Sequence, residues 1–216
     1  STLDRSSAAS DVYKRQYQNL PNFPALAHIV ATTEDGLMGI GNHLPWKTFK
    51  PDLWFFKAKT TDHVVIMGNN TVLSLPFKLE ERYVVRLSDC RPTPIDQLNE
   101  IENKSDECLL YNDSSADALD SILVPVGFNK DMVFIAGGKK VYNETLPYVH
   151  LVYRNVLHDV KLMHPTDGSQ PLHYYPIEQL KEHFILISSS IVTEDGSTLI
   201  CENEPYMTKE IWMRKP

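Results

Sequence analysis

No stretch of the chain approaches the ~18–20 consecutive apolar residues that a membrane-spanning helix requires. The opening STLDRSSAASDVYKRQ also lacks the apolar segment of a secretory signal. Cysteine is scarce: Cys90, Cys108 and Cys201 stand far apart and form no C-x-x-C pair. An odd, scattered set implies reduced thiols in a cytoplasmic protein and excludes a disulfide framework. The eight histidines show no H-x-x-x-H or H-x-x-E-H spacing, so no metal site is expected. His173, followed by two tyrosines, reads as packing. Long basic runs are missing too, and the net charge is −7. Neither a nucleic-acid surface nor a membrane partner is expected. A complete G-x-G-x-x-G dinucleotide fingerprint is also absent.

What remains is a 216-residue chain with 42% hydrophobic and 23% charged residues, enough for one globular domain with a sizeable core. Residues 1–24 are expected to be a leader, 25–203 the domain and 204–216 a C-terminal tail. Ile211 and Trp212 suggest that the tail docks, although no pattern says where. Within the domain, strand-like and helical segments alternate. LAHIVATT, HVVIMG, RYVVRLS, CLLYN, MVFIAGG and VHLVYRNVL are apolar, β-branched runs of strand length. DLWFFKAKT, NNTVLSLP, SSADALDSIL and KKVYNETLP are helix-compatible, the third with Ser and Asp cap signals. HFILISSSIV and STLICEN, joined by TEDGST with its Asp-Gly turn, predict a terminal antiparallel hairpin. The alternation implies an α/β fold, with a mostly parallel sheet between helices and an antiparallel edge.

Three short stretches carry possible chemistry. In LPWKTFKPDLWFFK, Pro51 suits a first helical turn, and Asp52 shares one helical face with Phe55 and Phe56. A helix dipole alone favours an acid there by ~0.3–1 kcal/mol, so Asp52 is either a dipole partner or a functional carboxylate. In VFIAGGKKVY a buried strand runs into Gly137-Gly138 and a helix, with Lys139 and Lys140 beside it. This is either a plain turn or an anion-binding junction. IMGNNT is a second such junction, where Thr71 could donate to a phosphate. Two junctions in one sheet favour a nucleotide lying across its carboxyl edge.

Taken in order, ATTEDGLMGIGNHLPW, Asp52-Leu53 with Phe56, VVIMGNNT, Arg82 and IAGGKKVY resemble the dihydrofolate reductase family. The resemblance runs collinearly over roughly residues 27 to 202. Its most specific part is G-x-G-N-x-L-P-W followed by the acid at position 52. It implies a single-domain monomer with an eight-stranded mixed sheet, reducing 7,8-dihydrofolate to tetrahydrofolate with NADPH. Hydride would reach C6 and a proton N5. Asp52 would bond the pterin amino group and N3, its pKa raised beside Phe55 and Phe56, and Trp46 would hold the relaying water. Ile29 and Ala136 would offer backbone carbonyls to the pterin. Leu53, Phe56, Leu75 and Leu79 would wall the benzoyl group, although each could equally be core. Arg82 would clamp the α-carboxylate of the glutamate tail, with Lys57 at the rim. Asn155 falls about where the family has a threonine bonded to the acid.

On the cofactor side, the resemblance gives Ala31 a backbone contact to the carboxamide. Gly39, Ile40 and the residues up to Leu44 would form a closing loop. Asn69, Asn70, Thr71, Gly137, Gly138, Lys139, Lys140, Val141 and Tyr142 would surround the phosphates, with the Gly137-Gly138 bond cis. Ser88, Asp89 and Arg91 would lie near the 2′ position. Several positions depart from the family pattern. Asn69 replaces a usual Arg or Lys, and Asp89 replaces an Arg or hydroxyl. With Ser88 and Arg91 to compensate, NADPH is expected to be used with a reduced advantage over NADH. HDVKLMHPTDGSQPLHYYP is longer than expected and lacks the usual Asp-Thr pair, so the brace of the closing loop is altered. Two rivals stand beside this reading. One is a same-fold reductase of another heterocycle, such as a pyrimidine of riboflavin synthesis, against which the Asp52, Phe56 and Arg82 set argues. The other is a diverged structural or binding copy, kept open by the altered 2′ residues.

Overall fold

Apolar, β-branched segments dictate the central layer. β1 (Ala25–Thr32), β3 (Val64–Gly68), β4 (Tyr83–Asp89), β6 (Met132–Ile135) and β7 (Leu151–His158) are buried almost throughout. Strands covered on both faces need no polar alternation, so such runs stay continuous in the sequence. The computed structural model describes residues 24–89, 95–111, 114–195 and 204–216. With β5 (Glu107–Tyr111), β9 (Phe184–Thr193) and β10 (Tyr206–Arg214), the strands make an eight-stranded sheet ordered β5-β4-β3-β6-β1-β7-β10-β9. The pairs from β5 to β7 are parallel, and β10 is antiparallel to both β7 and β9.

Helices cover both faces. α1 (Lys50–Thr60) carries Pro51 in its first turn, and α2 (Asn69–Ser74) follows Gly68 directly. With α3 (Ile95–Glu102) they pack on the face presenting Ala27, Ile29, Val65, Met67 and Val84. The opposite face presents Leu26, Val30, Val64, Ile66, Val85 and Leu87. It is covered by a 3₁₀ helix (Ser115–Ser121), α4 (Lys139–Thr145) and α5 (Ile177–His183). The alternation along β1 therefore divides one strand between two cores.

α3 and α5 are helices that were not among the expected elements, and the structure departs from expectation in three further places. SSADALDSIL forms a 3₁₀ helix, closed by a capping box between Ser114 and Asp117, where an α-helix was expected. β2 (Leu37–Ile40) and β8 (Leu172–Tyr174) form a separate two-stranded antiparallel sheet that the sequence pattern did not announce. The terminal antiparallel pair is present, with its second strand further along the chain than expected. Residues 196–203, which hold the whole of the expected second strand, lie outside the described residues. The strand that pairs with β9 is β10, within the segment expected to be a tail. Lys209 and Glu210 break its apolar pattern and hide the strand in the sequence. Folding compensates one of these charges, because buried Arg154 of β7 meets Glu210 at 3.2 Å.

Candidate active site

The centre of the sheet and the first turn of α1 converge on one carboxylate. β1 and β7 pair in register, with Ala31 opposite Asn155. From that buried position Asn155 Nδ2 donates to Asp52 Oδ1 at 2.7 Å. Burial raises the proton affinity of Asp52, and the Asn155 hydrogen bond offsets part of that shift. Phe55 and Phe56, one turn on, pack toward Ile29, Phe134 and Tyr153. Trp46 is buried with Phe49, Leu157 and Met207, and Ala31 packs against this group. From the other face, the Tyr142 hydroxyl donates to the Ile29 carbonyl at 2.7 Å. Its phenol is pushed up first by burial and then by the Asp52 charge. Among the described residues, Asn155 alone hydrogen-bonds the carboxylate. A heterocycle presenting an amino group beside a ring N–H can therefore meet a fixed acceptor there.

The carboxyl ends of β3 and β6 lie against each other. Gly68 N donates to the Gly137 carbonyl at 2.8 Å, and the Gly137–Gly138 peptide is cis. Gly137 has φ +109°, which favours glycine, and a Cβ on Gly138 would come within 3.1 Å of the Thr71 hydroxyl. The backbone thus leaves room where side chains would fill it. Beyond Gly68, Asn69 Nδ2 donates to Ser88 Oγ at 3.1 Å, while Arg86 Nη1 donates to Asn69 Oδ1 at 3.0 Å. The described residues contain no cluster of three or more metal-binding side chains, and no helix among them is long and apolar enough to cross a membrane.

Comparison with known proteins shows which family the chain belongs to. A family model described as "Dihydrofolate reductase" matches residues 25–172. The chain belongs to the dihydrofolate reductase family. The dihydrofolate reductase of Mycoplasma genitalium is 35% identical over 122 residues, covering 56% of this chain and 69% of that protein. That of Bacillus subtilis is 26% identical over 181 residues, covering 84% of this chain and 89% of its own. A solved structure, dihydrofolate reductase from Enterococcus faecalis complexed with NADP(H) and RAB-propyl, superimposes with a TM-score of 0.61. It shares 20% identity and covers 89% of this chain and 97% of its own, which shows a common fold.

Within that dihydrofolate reductase fold, the expected wall residues divide. Phe56, Leu75 and Ala136 pack on one cluster with Leu79, whereas Leu53 is 49% exposed and Lys57 is exposed beside it. Arg82, only 9% exposed, precedes β4, and among the described residues nothing bonds its buried Nε and Nη1. Burial also lowers its proton affinity, with Glu81 and Glu80 acting against that. Gly39 and Ile40 lie in β2, paired with His173 and Leu172 of β8, and Ile40 is fully buried. Further ties run from Gly41 N to the Pro171 carbonyl, from Met163 N to the Pro45 carbonyl and between the stacked rings of His43 and His164. The long 158–176 segment therefore supplies the brace of this loop by strand pairing and ring stacking. Val141 and Tyr142 turn their side chains into the core, and Asn70 and Lys139 are exposed. The Lys140 ammonium sits 4.7 Å over the Tyr111 ring and 3.8 Å from Glu144. Arg91 lies outside the described residues. Arg86, a lone arginine inside the apolar run of β4, was not among the expected site residues.

Proposed function

We propose that this chain reduces 7,8-dihydrofolate to tetrahydrofolate with NADPH. The Asp52–Asn155 pair carries the reading: a half-enclosed carboxylate at the sheet centre, with raised proton affinity and one amide donor fixing it. Family membership supports the same reaction class. Asp52 accepts from the pterin amino group and N3, which orients the ring on Phe56 and against the Ile29 strand. Its raised affinity for a proton, in a site that Trp46 and Phe49 help to close, favours protonation at N5 near neutral pH. Arg82 holds the tail carboxylate, since its buried nitrogens lack partners among the described residues.

The residues at the carboxyl edge fit a phosphorylated dinucleotide. Gly68, Gly137 and Gly138 leave open the space that a Cβ would occupy, Thr71 lines it, and Arg86 has a buried nitrogen without a partner among the described residues. When bound, the reduced nicotinamide supplies the hydride for C6. The test is the loss of NADPH absorbance when dihydrofolate is added to the full chain. Turnover that Asp52→Asn removes supports the proposal. Binding of folate and NADPH without oxidation would identify a diverged binding protein, and turnover of another heterocycle alone a different reductase.

A further inference from the structure

β9 is an edge strand built without most of the usual protections of an edge. Among the described residues it pairs with β10 on one side and with no strand on the other. It runs for ten residues, FILISSSIVT, without a proline or a charged side chain, in a chain where 23% of residues are charged. Natural edges are blunted by shortness, charge, proline or bulges, because their unpaired N–H and C=O groups recruit further strands. The opposite edge, β5, follows that rule with five residues and Glu107. In β9 a bulge remains at Ile187, which is skipped as Ser188 pairs Ile211 and Leu186 pairs Trp212. Ile187 is 51% exposed, and Ile185 and Leu186 before it are exposed as well. Consecutive strand residues point to opposite faces, so neither face is covered there.

The two ends of β9 carry opposite charge. At its start stand Lys181 and His183 of α5, with Arg214 opposite Phe184 and Lys215 bonded to the His183 carbonyl; Glu182 opposes them. At its end Glu194 and Asp195 follow Thr193, and Glu204 lies just before β10. An antiparallel copy reverses the direction. A two-fold axis through Ser188–Ser190 therefore lays the basic start of each strand beside the acidic end of the other. It also sets Ile185 to Ile187 of one strand toward Ile191 and Val192 of the other, with serine hydroxyls meeting at the centre. Two chains of net charge −7 repel overall. A strand neutral along its length and complementary at its ends is where they can meet.

We propose that β9 pairs antiparallel with β9 of a second copy of this chain across a two-fold axis, joining the two sheets into one. The chain is then a reversible dimer in place of the expected monomer. Ten residues at ~3.4 Å each, along a sheet edge ~10 Å thick, bury about 340 Å² per copy. That is under half of the ~800 Å² per partner of a standard interface. Apolar surface continues beyond the strand, from Val192 across a groove to Pro51, Trp54 and Ala58 of α1, with Trp54 61% exposed. Main-chain hydrogen bonds add to this, as in other strand-addition contacts. The pairing is therefore on the order of micromolar or weaker.

Sedimentation velocity of the full chain over about 1–100 μM tests the pairing. The wild type should pass from the 24.7 kDa monomer to a species of twice that mass as concentration rises. Ile187→Lys, at an exposed position, brings like charges to the axis and should weaken association roughly tenfold or more. Glu194→Lys and Lys181→Glu should each weaken it as well, by setting like charges end to end. An equimolar mixture of those two variants should recover dimers, because both end contacts are again opposite in sign. A wild type that stays monomeric throughout overturns the proposal, as does a dimer that Ile187→Lys leaves intact. A mixture no more dimeric than its parts rules out the antiparallel arrangement. Should Ile187→Lys fail to fold, Ser189→Cys under mild oxidation decides. Residues paired across the axis lie ~4.5–5.5 Å apart at Cα, within disulfide reach, so peptide mapping should find the chains linked at position 189. A dimer without that link has its interface elsewhere and sinks the proposal.

Discussion

Asn155 and Asp52 lie 103 residues apart in the chain, yet their side chains meet at 2.7 Å. The amide reaches from the middle of β7, and the carboxylate hangs from the first turn of α1. Between them they fix an acid at the sheet centre, and they make its protonation a measurable property of the fold.

Asp52→Asn should lower kcat more than tenfold at neutral pH, more than about 1.4 kcal/mol in barrier, with NADPH affinity within about twofold. An amide keeps the shape and loses the charge that favours N5 protonation. Steady-state kinetics beside cofactor titration decides it, and a smaller loss removes Asp52 from the chemistry.

The same substitution should stabilise the unliganded protein. Asp52 has its folded pKa raised, so the folded state binds the extra proton. Its contribution is therefore complete below the ordinary carboxylate pKa and is lost as pH rises through the raised value. Asp52→Asn should melt higher than wild type at pH 7, with about 2–4 °C for each kcal/mol gained. The difference should close as the buffer is brought below pH ~4. Thermal melts across that range measure it.

Asn155→Ala removes the bond that lowers the Asp52 pKa. The acid limb of kcat/KM for dihydrofolate should then move to higher pH, while Asp52→Asn abolishes the limb. A pH profile superimposable on wild type would show that the bond holds shape only.

Arg82→Leu should raise the dihydrofolate KM by an amount worth ~2–5 kcal/mol, with little change in kcat, because the tail carboxylate is remote from C6. Stability should hold or rise, since the buried Nε and Nη1 have no described partner to lose. An unchanged KM would make Arg82 a structural residue.

His28 sets an acid limit on the fold. Its Nδ1 lies 2.8 Å from the Tyr175 hydroxyl and its Nε2 2.8 Å from Thr145 Oγ1, which itself donates to the Val141 carbonyl. The neutral ring with a proton on Nε2 satisfies this arrangement. Burial, and then Arg214, push its pKa down to about 3 from the ordinary 6.5. Its stabilisation is thus full above pH 6.5 and is lost as pH falls toward 3, by up to ~1.4 kcal/mol per pH unit. His28→Gln should flatten that part of the urea stability profile.

Local pattern by itself determined the parallel core, because strands covered on both faces must be apolar throughout, and VVIMG and MVFI read accordingly. It also made Asp52 and Gly137-Gly138 conspicuous, an acid on an aromatic helical face and a glycine pair between strand and helix. Only the tertiary structure decided what lay beyond local spacing. β10 carries Lys209 and Glu210 and becomes a sheet strand because Arg154, from a neighbouring strand, compensates Glu210. β2 and β8 are too short to show a period and exist through pairing with each other. Arg86 reads in sequence as an interruption of an apolar run, and acquires a partner only when β4 is laid beside Asn69. Periodicity records which face of an element is buried. Which distant charge or amide meets it there is set by strand order, and one chain segment alone does not contain that information.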